Sequence, residues 1–346
     1  GHLREGTVEP RDSGTVEHDD CRGRTSNELI QMMGANRTAL MGDDATNSAY
    51  FIFVADKEKD LSAGTLYAAR VGGSTDFTST AAPAAPLTWI KLGKATSAEI
   101  EQLANTLKPA DILDLKSADP QDASYTKIVT NGKTEWIKVK PGMEKAAAFL
   151  ETHRYAALKG ASLDLPKMEG TTVNRKDKVA YSALQNMQSS MVAGNAANVP
   201  GNGISIPKQL VAGGVMALNL KGGQKDTDGN AINSDWVPAD VKPLLVGRDL
   251  LAADGKALQG DALGNTADPN TIANPDNLKY SEKMRTLFIG EDSSQHVTNM
   301  LWAYHIDTKQ LSRLMTLPAG AESTGLQAVD EVNGWTYIMS NFQHAG

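Results

Sequence analysis

Short apolar runs that stop at a glycine and a pair of acids recur along this chain, each followed by a second run of β type. Leu40-Met41-Gly42-Asp43-Asp44 precedes Gly64-Thr65-Leu66-Tyr67-Ala68, and Phe288-Ile289-Gly290-Glu291-Asp292 precedes Met300-Leu301-Trp302-Ala303-Tyr304 after a shorter gap. A weaker third copy runs from Tyr181-Ser182-Ala183-Leu184-Gln185-Asn186 to Gly214-Val215-Met216-Ala217-Leu218. Repeats of a strand that ends in polar residues, followed by another strand, read as propeller blades whose inner strand ends converge on a central channel. One carboxylate at a strand end makes a weak site. Several delivered radially to one channel surround a hard cation with the oxygen ligands that calcium takes.

From Thr38 onward short β-type runs alternate with turn residues at the spacing of an all-β sandwich, barrel or propeller. Helix is the minority: Thr96 reads as the N-cap of a helix over 97–108 ended by Pro109, and a second short helix covers 143–150. Residues 201–203, 222–230 and 261–277 are rich in Gly, Asn, Asp and Pro and read as loops. Residues 1–37 are set apart as an atypical or disordered segment, with 38–346 as the folded domain. Within that segment His18, Asp19, Asp20 and Cys21 offer imidazole, carboxylate and thiolate to a transition metal, but a frayed terminus is the more ordinary reading.

The 346 residues include 40% hydrophobic ones, enough to bury a substantial core in one large domain or two ordinary ones. With 41 acidic against 34 basic side chains and a net charge of -7, the overall field disfavours a nucleic-acid partner. Small phosphate esters remain compatible, because bound cations reverse the local sign of an acidic site. No apolar run approaches the roughly 20 residues of a membrane span, and no secretory signal opens the sequence. One cysteine excludes an internal disulfide and a Cys-rich metal site. No Gly-rich loop ending in Gly-Lys-Ser/Thr, Gly-x-Ser-x-Gly elbow or His-Glu-x-x-His helix is present, which sets aside nucleoside triphosphatases, ordinary serine hydrolases and common zinc proteases.

Candidate chemistry rests on few residues. Asp43, Asp44, Glu291 and Asp292 close apolar strands and either ligate metal or solvate turns. Arg154 offers the planar fork that clamps phosphate, and Glu169 follows it closely enough that the two also read as an ion pair. Glu322 sits in a small-residue loop where a ligand approaches closely, or is a plain turn carboxylate. His344, at the end of a strand beginning near Trp335, either bonds a phosphate oxygen and protonates a leaving group or is incidental.

The stretch from Met41-Gly42-Asp43-Asp44 through Phe51-Ile52-Phe53-Val54 to Gly64-Thr65-Leu66-Tyr67-Ala68-Ala69 resembles an early blade of the PhoX family of calcium-dependent alkaline phosphatases. Three further strings agree in order: Arg154-Tyr155-Ala156-Ala157-Leu158-Lys159-Gly160-Ala161 with Met168-Glu169-Gly170; Asn274-Pro275-Asp276-Asn277-Leu278 with Gly290-Glu291-Asp292; and Gly320-Ala321-Glu322-Ser323-Thr324-Gly325 with Gln343-His344-Ala345-Gly346. Together they cover roughly residues 38–346. The resemblance implies an all-β, six-bladed propeller-like fold with a few short helices, a periplasmic or secreted location, and hydrolysis of small phosphate esters by a calcium and iron cluster. Arg154, Glu169 and His344 would then be catalytic, and Asp43, Asp44, Glu169, Glu291, Asp292 and Glu322 metal-binding.

One departure bears on the metals. In the family's pattern a cysteine a few residues beyond the first acidic pair helps to hold iron. Here that stretch is Ala45-Thr46-Asn47-Ser48-Ala49 and no cysteine follows Cys21, which puts iron in doubt and leaves open a calcium-only or otherwise altered site, or a member of the family with no phosphatase activity. The sequence also stops just after Gln343-His344, where the resemblance implies a closing segment, so truncation is expected. The main rival is a non-catalytic, calcium-stabilised propeller that acts by binding or at a surface. A phosphodiesterase or lactonase propeller is a third reading. Oligomeric state is not legible.

Overall fold

The computed structural model describes residues 4–8, 14–18, 20–73, 75–198 and 203–345, with side chains from Cys21 onward. Strands dominate, helices are short, and the chain divides into two compact units: Gly1–Val71 with Thr88–Leu163 and Gly222–Val237, and Gly72–Leu87 with Asp164–Lys221 and Pro238–Gly346. Among the described residues no helix is long and apolar enough to cross a membrane.

In the first unit, strands Ile30–Met32, Thr38–Met41, Phe51–Lys57 and Asp60–Val71 form an antiparallel ladder with pairs such as Ala39↔Phe53 and Phe51↔Ala68. Phe51, Phe53, Leu66, Ala68 and Phe149 pack in its core together with Cys21, so the segment before Thr38 contributes both a strand and a core side chain. Asp19 lies outside the described residues, as do the side chains of His18 and Asp20. The helix Ser97–Thr106 begins with a complete capping box. The Glu99 backbone N–H donates to the Thr96 hydroxyl at 3.2 Å, and the Thr96 N–H donates to the Glu99 carboxylate at 2.7 Å. A three-stranded sheet of Leu113–Lys116, Thr126–Thr130 and Lys133–Val139 follows. Its hairpin turns on Asn131 (φ 46) and Gly132 (φ 71), the positive-φ pair that a tight two-residue turn requires. Helices Glu144–Leu150 and Thr152–Leu158 meet at an elbow at Glu151. The sequence foreshadows the first of these and not the second.

In the second unit, strands Thr171–Asn174, Val179–Leu184, Gly214–Lys221 and Val237–Val246 lie in that order, and the start of strand Ala85–Thr96 pairs with the last (Val241↔Ala85). A second sheet is a four-stranded meander of Pro275–Ser281, Thr286–Glu291, Thr298–His305 and Gln310–Ala319. Strands Glu322–Val332 and Trp335–Gln343 make a separate hairpin. The core here centres on Tyr181, Ala217, Leu287, Ile289, Trp302 and Tyr304. Four-stranded antiparallel meanders of this kind are the blades of propeller folds.

The repeat holds, with one correction to its alignment. Strand Thr286–Glu291 pairs directly with Thr298–His305, whereas Thr38–Met41 pairs with Phe51–Lys57, and Gly64-Thr65-Leu66-Tyr67-Ala68 belongs to the strand after that. The equivalent triplets are therefore 38–41, 51–57, 60–71 and 286–291, 298–305, 310–319, which explains the unequal gaps in the sequence. Residues 222–230 form a turn as expected. Strand Pro275–Ser281 begins inside the stretch 261–277 that was read as loop, and of the 201–203 loop only Gly203 is described.

Candidate functional site

The two acid pairs are built alike. Within each, the first acid is sealed in the interior and the second stands partly open at the strand end. Asp43 is fully buried and accepts hydrogen bonds from the Ser26 backbone N–H at 2.7 Å, from the Ser48 hydroxyl and from His153 Nε2. Glu291 is likewise fully buried. It accepts from Ala273 N–H (2.9 Å), Met300 N–H (3.0 Å) and Trp302 Nε1 (2.7 Å), and pairs with His296 Nδ1 at 3.0 Å. Burial disfavours charge on His296, but the Glu291 bond outweighs it and raises the imidazole above its ordinary value. Their successors Asp44 and Asp292 are half-buried, each with its backbone N–H tied across to a neighbouring segment: Asp44 to Ser26 O at 2.9 Å, Asp292 to Asn274 O at 3.1 Å. Both oxygens of each first acid are thus taken up by protein donors, whereas the second acid is only partly buried.

The second unit gathers carboxylates from four places in its sequence. Glu169 hydrogen-bonds Asp276, and the charges of Glu322 and Asp292 also act on Asp276. Burial is the largest influence and raises Asp276 to about 7, opposed by the bonds from Glu169 and Asn277 and reinforced by the other two carboxylates. Asp276 is 1% exposed, and its Oδ1 has no hydrogen-bond partner among the described residues. Amides orient the others: Gln343 Nε2 donates to Glu322 at 2.6 Å, Gln185 Nε2 to Asp292 at 3.1 Å, and Asn277 Nδ2 to Asp276 Oδ2 at 2.9 Å. Lys167 lies 3.3 Å from Glu169.

Close backbone approach makes this gathering possible. A side chain at Gly170 would place its Cβ 1.9 Å from the Asp276 carbonyl oxygen and 2.9 Å from the Leu278 nitrogen. The strand that follows Glu169 therefore runs directly against the one bearing Asp276. His344 follows the last strand with its side chain 76% exposed and Nε2 3.9 Å from Glu322.

In the first unit, Glu28 and Asp44 bring carboxylate oxygens within 4.8 Å of each other. Arg154 donates from Nε and Nη2 to Glu135 (2.8 and 3.0 Å) and from Nη1 to Glu151 (2.7 Å). The Glu135 bonds raise the guanidinium pKa further, against the effect of burial and with Glu151 adding to them. Glu169, the partner foreseen for Arg154, pairs instead with Lys167. Arg154, His153, Glu151, Arg24 and Ser26 line a cavity of about 450 Å³.

Asp276, Glu28, His153 and Arg24 were not singled out from the sequence. Asp276 stands inside a quoted family string, Asn274-Pro275-Asp276-Asn277-Leu278, which was the available signal. Neither His153 nor Arg24 sits in a pattern that distinguishes it from a surface residue.

No protein-family model matches this chain. Nor does any curated protein. Among solved structures, the chain is similar to Pseudomonas fluorescens PhoX in complex with vanadate, a transition state analogue, with a TM-score of 0.56 and 18% identity over 92% of this chain. The similarity takes in 48% of the PhoX chain, so this sequence spans about half of that protein's length. At this identity the likeness establishes the fold: mostly β, propeller-like, with a few short helices.

Proposed function

We propose that this chain is a metal-dependent phosphomonoester hydrolase that holds calcium through Glu169, Asp276, Asp292 and Glu322, with Asp44 and Glu28 offering a second, smaller set. The observation that carries this reading is the buried Asp276, whose Oδ1 accepts from no donor among the described residues, beside the carboxylates of Glu169, Asp292 and Glu322, with Lys167 3.3 Å from Glu169. An oxygen-only donor set short of positive charge fits a hard divalent cation. The likeness to PhoX, a protein solved with a transition-state analogue, supports the same reading. Asp43 and Glu291 are left out of the proposed ligand set because their oxygens already serve protein donors. With no cysteine near Asp44, calcium without iron is the composition we favour.

When bound, the cation neutralises phosphoryl oxygens and acidifies a coordinated water. The protein's part is to orient and to move protons. Gln343, Gln185 and Asn277 each occupy part of a carboxylate and so fix the direction of the oxygens that remain. Exposed His344, beside Glu322, is placed to bond a phosphate oxygen or to protonate the departing alcohol. Arg154 spends three of its five N–H groups on Glu135 and Glu151 and keeps two for an oxyanion in the cavity it lines. Residence in the periplasm or outside the cell suits such a site, since extracellular calcium modules work at roughly 10⁻⁴–10⁻³ M.

The double carboxylate pairing of Arg154 is also what favours the non-catalytic reading, in which calcium only stabilises a binding protein. Purified protein assayed with a chromogenic phosphomonoester at alkaline pH, with calcium and then with a chelator, separates the two. The enzyme reading expects calcium-dependent turnover that falls about 100-fold or more in Asp292→Asn and Glu322→Gln. A calcium-raised melting temperature with no turnover in any variant would establish the rival instead.

A further inference from the structure

Strands Glu322–Val332 and Trp335–Gln343 form a hairpin whose two faces meet different surroundings. Partners across an antiparallel pair point to the same side. The pair Ala328↔Ile338 points inward and packs, with buried Leu326, on Phe288 and Leu301 of the four-stranded meander. The alternate pairs Gln327↔Met339 and Val329↔Tyr337, with Val332↔Trp335 beyond a bulge, form the opposite face. That face is open: Trp335 is 70% exposed, Tyr337 and Met339 47% each, and Val329 and Val332 are exposed as well. Among the described residues neither strand pairs with a third, whereas the meander has four strands.

The five apolar side chains leave roughly 500 Å² of surface in water, the size at which an exposed patch on a soluble chain marks an interaction site. Trp, Tyr and Met are enriched at the centres of protein contacts, where charged residues are depleted. The six residues of this face include no charge, in a chain that is 22% charged. The acids at the hairpin's tip, Asp330 and Glu331, are engaged by Ser281 and Lys283. A second copy of the chain suits such a surface. About a two-fold axis the face meets itself, so a charged patch would repel its counterpart and an uncharged apolar one fits it. Two copies burying roughly 500 Å² each reach the ~1,000 Å² that a specific contact needs. At a net charge of -7 per chain, an uncharged face is also where two copies approach at least electrostatic cost.

We propose that the outer face of this hairpin is a homodimer interface, in which Trp335, Tyr337 and Met339 of one copy pack on the same face of a second. None of the proposed calcium ligands, nor the amides that orient them, belongs to this face, so the interface stands or falls apart from the hydrolase reading. Leu326, Ala328 and Ile338 hold the hairpin from its inner side. Substitutions on the outer side therefore change association while the hairpin stays folded.

The test is sedimentation equilibrium of the full chain from about 1 to about 100 µM, the range in which a contact of this size forms. The expected mass is that of one 36.9 kDa chain at the dilute end, rising towards twice that at the concentrated end. Tyr337→Glu sets two carboxylates on the apposed faces and should raise Kd about 100-fold or more, while Tyr337→Phe should leave it within about 3-fold. Far-UV circular dichroism and the melting temperature of dilute samples identify a folded monomer, and Val329→Lys supplies a second disruption should Tyr337→Glu fail to fold. A wild-type chain that stays monomeric at the highest concentration, or a dimer that folded Tyr337→Glu or Val329→Lys leaves intact, overturns the proposal.

Discussion

Adjacent carboxylates in this protein do opposite work. Glu291 is an internal fastener that holds a histidine, an indole and two backbone N–H groups, while Asp292 beside it is turned toward a ligand-grade cluster. The sequence marks both as acids after a strand and offers nothing to tell them apart, because burial is decided by tertiary partners such as Ala273 and Trp302. Asp164 shows the same limit. Its carboxyl is buried, and burial raises it from 3.8 to about 7, with a hydrogen bond from Ser190 pulling the other way. Between those values the unfolded chain has released a proton that the folded chain keeps. Asp164 therefore contributes stability that is full below about pH 4 and lost as pH rises through about 7, at about 1.4 kcal/mol per unit. Urea denaturation from pH 4.5 to 8 should show Asp164→Asn gaining on the wild type across this window, by at most roughly 4 kcal/mol. A difference that stays constant with pH would show that Asp164 is not protonated in the folded state.

Elements were the most legible level. Strand ends and the N-cap at Thr96 follow from local rules, since each depends on residues close in sequence. The helix Thr152–Leu158 was missed because Glu151 at its start makes no side-chain cap. Its position is fixed by tertiary pairing, in which Arg154 joins it to strand Lys133–Val139 through Glu135. Arg154→Ala would leave Glu135 and Glu151 facing each other with no cation between them. A loss of about 3 kcal/mol in unfolding free energy is expected, with Glu135→Gln in the same background recovering part of it. Unchanged stability together with weaker phosphate binding would instead assign the guanidinium to the ligand.

At the scale of the molecule, the blade grammar was readable because strand, glycine and acids recur in one order, whereas the pairing that distinguishes two strands from three was not written in any single copy. The four-carboxylate group draws on positions 169, 276, 292 and 322, and no spacing rule links them. What brings the first two together is the missing side chain at Gly170, whose place is taken by the Asp276 carbonyl. Gly223 and Gly255 have open space around them. A saturation library should therefore return Asn and Asp among functional clones at 223 and 255, where only positive φ limits the choice, and glycine alone at 170. Gly170→Ala is expected to lose calcium binding while every proposed ligand is still encoded. Divergence of this protein can therefore abolish the proposed calcium binding through a position that carries no chemical group, and a comparison of the proposed ligand residues alone would count such a descendant as intact.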